Sequence, residues 1–102
     1  MRIDPGFVRR TLGQLVRINS INPEFSGGTT DESGVASAVA GILRDLGAQV
    51  EWHEPAPGRV SVSGRVRGTA SGRSLMLYAH HDTVGIEGMA DPFSAAVRDG
   101  RL

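Results

Sequence analysis

Three histidines and eleven carboxylates could bind a metal or move a proton, and there is no cysteine. Any metal must therefore be held by imidazole and carboxylate, and disulfides and cysteine nucleophiles are excluded. One juxtaposition stands out: His80-His81-Asp82 directly follows the apolar run Leu75-Met76-Leu77-Tyr78-Ala79. In extended backbone, residues i and i+2 point to one side, which pairs His80 with Asp82 and turns His81 away. A metal-bound imidazole usually gives its second N–H to a carboxylate, which fixes the tautomer and raises ligand basicity. On that chemistry His80 is the candidate metal ligand and Asp82 the carboxylate that orients it. The spacing alone is better explained by a polar strand end with an internal hydrogen bond. His81 is expected to be structural, His53 a solvated residue on the polar face of a strand, and Asp91 the cap of a turn before Pro92.

Elements that could position this pair can be read along the chain. Asp4-Pro5 is a helix start, with Asp as cap and Pro at the first helical position. Phe7, Val8, Leu12, Leu15, Val16 and Ile18 follow at helical spacing. Asn22-Pro23 cannot easily continue a helix, and 25–30 reads as a Gly-rich loop. A second helix is expected from Thr30 or Asp31, with Val35, Val39, Ile42, Leu43 and Leu46 as its buried stripe and Gly47 as its left-handed terminator. Ala48, Val50 and Trp52 alternate with polar residues as in a half-buried strand, Pro55 to Gly58 is a turn, and Val60, Val62 and Val66 mark a second strand weakened by Gly64. Gly68 to Gly72 is expected to form a hairpin connection into Leu75–Ala79, whose continuous apolarity fits a strand covered on both faces. His80 and Asp82 would then lie at its carboxyl end, where α/β sheets bind ligands. Asp99-Gly100 is a turn. The predicted order is helix, helix, strand, strand, strand: one α/β unit over residues 1–102.

The chain has 102 residues, with 11 basic and 11 acidic residues and no net charge. No basic patch or acidic tail argues for nucleic acid or a charged membrane surface. No apolar run approaches the roughly 20 residues that span a bilayer, and the start lacks a signal-peptide pattern, so a cytoplasmic protein is the expectation. No phosphate-binding glycine motif and no Gly-x-Ser-x-Gly is present, which leaves nucleotide binding and serine-hydrolase chemistry unsupported.

The stretch Leu75-Met76-Leu77-Tyr78-Ala79-His80-His81-Asp82-Thr83-Val84 closely resembles the first metal motif of the zinc aminoacylase and carboxypeptidase family. That family includes acetylornithine deacetylase, succinyl-diaminopimelate desuccinylase and glutamate carboxypeptidase. Three more stretches resemble it in the right order: Leu15 to Pro23, Leu43 to Ala48, and Asp91-Pro92-Phe93-Ser94 followed by Asp99-Gly100-Arg101-Leu102. Two positions depart from the pattern: Met89 stands nearest the place of a common Trp, and Arg59-Val60 stands where many members carry Asn-Val.

The resemblance implies a partial three-layer αβα catalytic domain with a mixed sheet, the residue matching His80 as a zinc ligand, and the residue matching Asp82 as its orienting partner. It further implies two zinc ions, with cobalt able to substitute, a small N-acyl amino acid or peptide substrate, and a homodimeric complete enzyme. The family's bridging Asp, general-base Glu, remaining ligands and lid domain have no counterpart in these residues, so this chain is expected to be an inactive N-terminal part of such a hydrolase. The rival expectation is a non-catalytic module that pairs with another chain.

Overall fold

The computed structural model describes residues 2–102. Helix α1 spans Pro5–Val16, and the Asp4 side chain caps it by accepting the Gly6 N–H at 2.9 Å. A short helix α2, Pro23–Ser26, lies where a loop is expected. Its start has a recognisable cause: Asn22 is the cap and accepts the Glu24 N–H at 3.0 Å, with Pro23 in the first helical position. Helix α3 spans Ser33–Asp45, its first turn held by the Asp31 carboxylate on the Ser33 N–H at 2.8 Å. It ends at Gly47, whose φ of +83° suits the left-handed terminator read from the sequence.

Strands β1 (Gln49–Ala56) and β2 (Arg59–Arg65) form one antiparallel hairpin, with Val50 opposite Gly64 and Trp52 opposite Val62. Helix α3 packs on this hairpin, chiefly on β2, and touches α1. Gly64 belongs to that packing. A Cβ there would come within 3.1–3.3 Å of the Leu43 methyls and Ala48, so a side chain would require those neighbours to give by a few tenths of an ångström. The buried apolar core is small: Ile21, Val35, Ala36, Ala40 and Val60.

A buried carboxylate joins helix to hairpin. Glu32 accepts the Val60 N–H at 3.1 Å and pairs with the Arg59 guanidinium at 3.0 Å. The Glu32 N–H donates to the Gly58 carbonyl at 3.0 Å. Gly58 has φ +74°, and a Cβ there would lie 2.8 Å from that of Asp31, so the turn needs glycine both for its backbone and for the close approach.

The expected third strand is absent. Leu75, Met76, Leu77 and Tyr78 are 83–88% exposed, and 73–82 carry no strand pairing. The sheet is thus a two-stranded antiparallel hairpin rather than a mixed sheet, and the expectation of Leu75–Ala79 as its most buried strand is overturned. The physical reason is that a strand covered on both faces needs neighbouring strands and covering layers, and β1 and β2 pair only with each other. Nor does Gly68 to Gly72 close a hairpin. The Asp99-Gly100 turn does form: Arg98 and Arg101 exchange backbone hydrogen bonds at 2.8 and 2.9 Å. Among the described residues, no helix is long and apolar enough to cross a membrane.

Candidate metal centre

His80 and Asp82 come together without the strand that was expected to carry them. The anchor is the next residue. Thr83 makes an isolated parallel bridge with Ile21: its N–H donates to the Ser20 carbonyl at 2.9 Å, and its carbonyl accepts the Asn22 N–H at 2.8 Å. Ser20 and Ile21 are buried, so the bridge fixes the 80–84 segment to the solid part of the molecule.

From that anchor, the ring of His80 turns back on Asp82. Its Nδ1 lies 2.9 Å from the Asp82 carbonyl oxygen and 3.2 Å from carboxylate Oδ1. Both oxygens can only accept, so Nδ1 must carry the proton and share it between them. In the neutral form of the ring the lone pair is then on Nε2, and the side chain is 80% exposed. In this tautomer the ring can ligate a metal through Nε2 while its Nδ1–H stays on a carboxylate.

His81 has the opposite arrangement. Its Nε2 lies 2.9 Å from the Val60 carbonyl, again an acceptor only, so Nε2 holds the proton. This contact ties the segment to β2, at the residue whose N–H is already held by Glu32. Adjacent histidines therefore carry their protons on opposite ring nitrogens, His80 facing solvent and His81 facing the fold.

Asp82 is half-buried, and its second oxygen is engaged too: Asn22 Nδ2 donates to Oδ2 at 2.9 Å. That hydrogen bond is the main reason the carboxyl lies below its ordinary pKa; partial burial opposes it and the His80 ring adds a smaller lowering effect. Sequence reasoning left Asn22 without a role. Its signal was the Asn-Pro helix start, which places the side chain, but its partner lies 60 positions away and no local pattern reports that.

His80 with its free Nε2, backed by Asp82, fits one coordination position. No group of three His, Cys, Asp or Glu residues converges among the described residues, so a complete ligand set is not present. Two shallow concavities lie along α1, one lined by residues such as Phe7 and Leu46 and the other by residues such as Arg9 and Leu102, and neither is lined by His80. His53 is exposed and lies 3.1 Å from the Ser63 hydroxyl. At Asp91 the backbone makes the turn: its carbonyl accepts the Ser94 N–H at 3.1 Å.

No family model matches this chain, and neither does any curated protein or solved structure.

Proposed function

We propose that this chain is the N-terminal part of a zinc-dependent hydrolase that cleaves amide bonds of N-acyl amino acids or small peptides. The observation that carries this reading is the His80–Asp82 pair, in which Nδ1–H is committed to Asp82 and Nε2 is left free. In the proposal His80 supplies one metal ligand through Nε2, and Asp82 holds the imidazole in that tautomer. Asp82 is a positioning carboxylate, with one oxygen on His80 and the other on Asn22. Zinc, when bound, would polarise the amide carbonyl and acidify water at near-neutral pH. The remaining ligands and the general base would come from polypeptide outside these 102 residues. The four ordered sequence resemblances support the same reading.

The test compares the 102-residue chain with the product of its gene read onward in frame. The short chain is expected to hold no stoichiometric zinc and to leave N-acetylornithine and other N-acyl amino acids intact. In the longer product, His80→Ala should lower hydrolysis by orders of magnitude. Asp82→Asn should weaken metal binding roughly 10- to 100-fold, and His81→Ala should spare the metal. Stoichiometric zinc and amide hydrolysis by the short chain would contradict the proposal. So would a His81→Ala loss exceeding that of His80→Ala.

A further inference from the structure

Asn22 sits where three parts of the molecule meet. Its backbone N–H is in the bridge to Thr83, its Oδ1 caps α2, and its Nδ2 reaches Asp82. The orientation of the side-chain amide is settled by its partners. The Glu24 N–H can only donate, so it takes the Asn22 oxygen; the Asp82 carboxylate can only accept, so it takes the nitrogen. On the far side, Arg59 Nη1 lies 3.5 Å from the same Oδ1, a long and weak contact, while Arg59 Nε is held firmly by buried Glu32. A polar chain thus runs Glu32–Arg59–Asn22–Asp82–His80, from the helix–hairpin junction to the exposed imidazole.

We infer that Asn22 is a positioning residue for the metal ligand, holding Asp82 Oδ2 so that Oδ1 faces His80 Nδ1–H. This deepens the metal reading of His80 and rests on it. A carboxylate tethered at one oxygen cannot rotate freely. The other oxygen therefore stays toward the ring at 3.2 Å and adds to the Asp82 backbone carbonyl, the closer acceptor at 2.9 Å, in keeping the imidazole proton on Nδ1. The helix cap makes the tether stiff, because it fixes Asn22 by its own oxygen while the nitrogen does the holding. Asn22 needs no contact with metal or substrate to act in this way.

Asn22→Ser separates the two duties of the residue. Serine is a good helix cap, but its hydroxyl is too short to reach Asp82. In 15N-labelled protein at pH 8.5, wild-type His80 should read as the Nδ1–H tautomer. In Asn22→Ser it should shift toward a mixture, and cobalt(II) binding at its Nε2 should weaken about 10-fold, at the low end for an outlying partner. Asp82→Asn should do the same, and Asn22→Ser combined with Asp82→Asn should be no worse than Asp82→Asn alone. An unchanged tautomer in Asn22→Ser, or losses that add in the double variant, would overturn the inference. If Asn22→Ser does not fold, the wild-type Asn22 side-chain amide carries the test: its resonances must move in Asp82→Asn, and unmoved resonances overturn the inference equally. A tautomer shift in Asn22→Ser with no cobalt response at wild-type His80 would support the tether and contradict the metal reading, so the two ideas fail separately.

Discussion

Val60 and Leu77 are both large apolar residues in stretches that read as strand, yet Val60 is 1% exposed and Leu77 is 86% exposed. The first lies in β2, under α3, with its N–H on Glu32 and its carbonyl on His81. The second lies in a stretch with no strand neighbour and no covering helix. The run around Leu77 is the more continuously apolar of the two, so the difference comes from pairing and cover rather than from apolar content. The whole molecule reflects it: the radius of gyration is 15.7 Å, against about 13 Å for a compact domain of 100 residues. The candidate site lies at the seam between the two regions. It is held by hydrogen bonds from the solid half and not by burial in the open half.

The largest effect should come from cutting the junction that makes the solid half solid. Glu32→Ala leaves the buried Val60 N–H without an acceptor and Arg59 without its partner. Arg59 is partly exposed, so most of the cost is the unpaired N–H, for a total of about 2–4 kcal/mol. That loss is a large fraction of the roughly 5–15 kcal/mol that holds a domain folded, and urea denaturation should show a clearly lowered midpoint. Next comes Val60→Ala, which removes two buried methyl groups at about 1–2 kcal/mol, read by the same midpoint. A loss below about 0.5 kcal/mol at Val60 would break the comparison.

A subtler effect concerns the hairpin turn. Glu54 accepts the Gly58 N–H at 3.0 Å and the Trp52 indole N–H at 3.2 Å. The Gly58 bond first, and the indole bond second, hold its carboxyl below the ordinary glutamate value of 4.5. A lowered carboxylate pKa contributes stability that is present above the unfolded value and lost as pH falls through the folded one. The indole N–H resonance of Trp52 should therefore titrate with a midpoint below 4.5, and Glu54→Gln should abolish that step. A midpoint above the ordinary value would show that the turn contacts do not persist in solution. The smallest effect belongs to the open half. Leu77→Ser should change the stability of this chain by no more than about 0.5 kcal/mol. A loss as large as that of Val60→Ala would mean that the apolar run is covered after all.

Much of the solid half was legible in the sequence, because its signals are local. Asp4-Pro5 starts a helix, Gly47 follows the end of another, and a turn joins the two strands, although it is confined to Pro57–Gly58 because Pro55 and Ala56 belong to β1. The short helix at Pro23 was missed because a Gly-rich neighbourhood outweighed the Asn-Pro-Glu cap. The exposure of Leu75–Tyr78 was missed because apolar composition records what a segment can pair with, not whether the pairing partner is there. His80 and Asp82 were legible as neighbours two apart. Their support was not: Asn22, Thr83 with Ser20, and Val60 beneath His81 are joined across 21 to 63 positions in the sequence.

His80 and His81 differ in that the first holds Nδ1–H on Asp82 and presents Nε2 to solvent, whereas the second is tied through Nε2–H to the Val60 carbonyl. Long-range 1H–15N NMR of the labelled chain, recorded during a zinc titration, tests it directly. The expected result is Nδ1–H at His80 and Nε2–H at His81 before metal is added, then, only with zinc in large excess because a single ligand binds weakly, a shift of His80 Nε2 while His81 stays on Val60. The same tautomer at both rings, or a zinc response centred on His81, would contradict it.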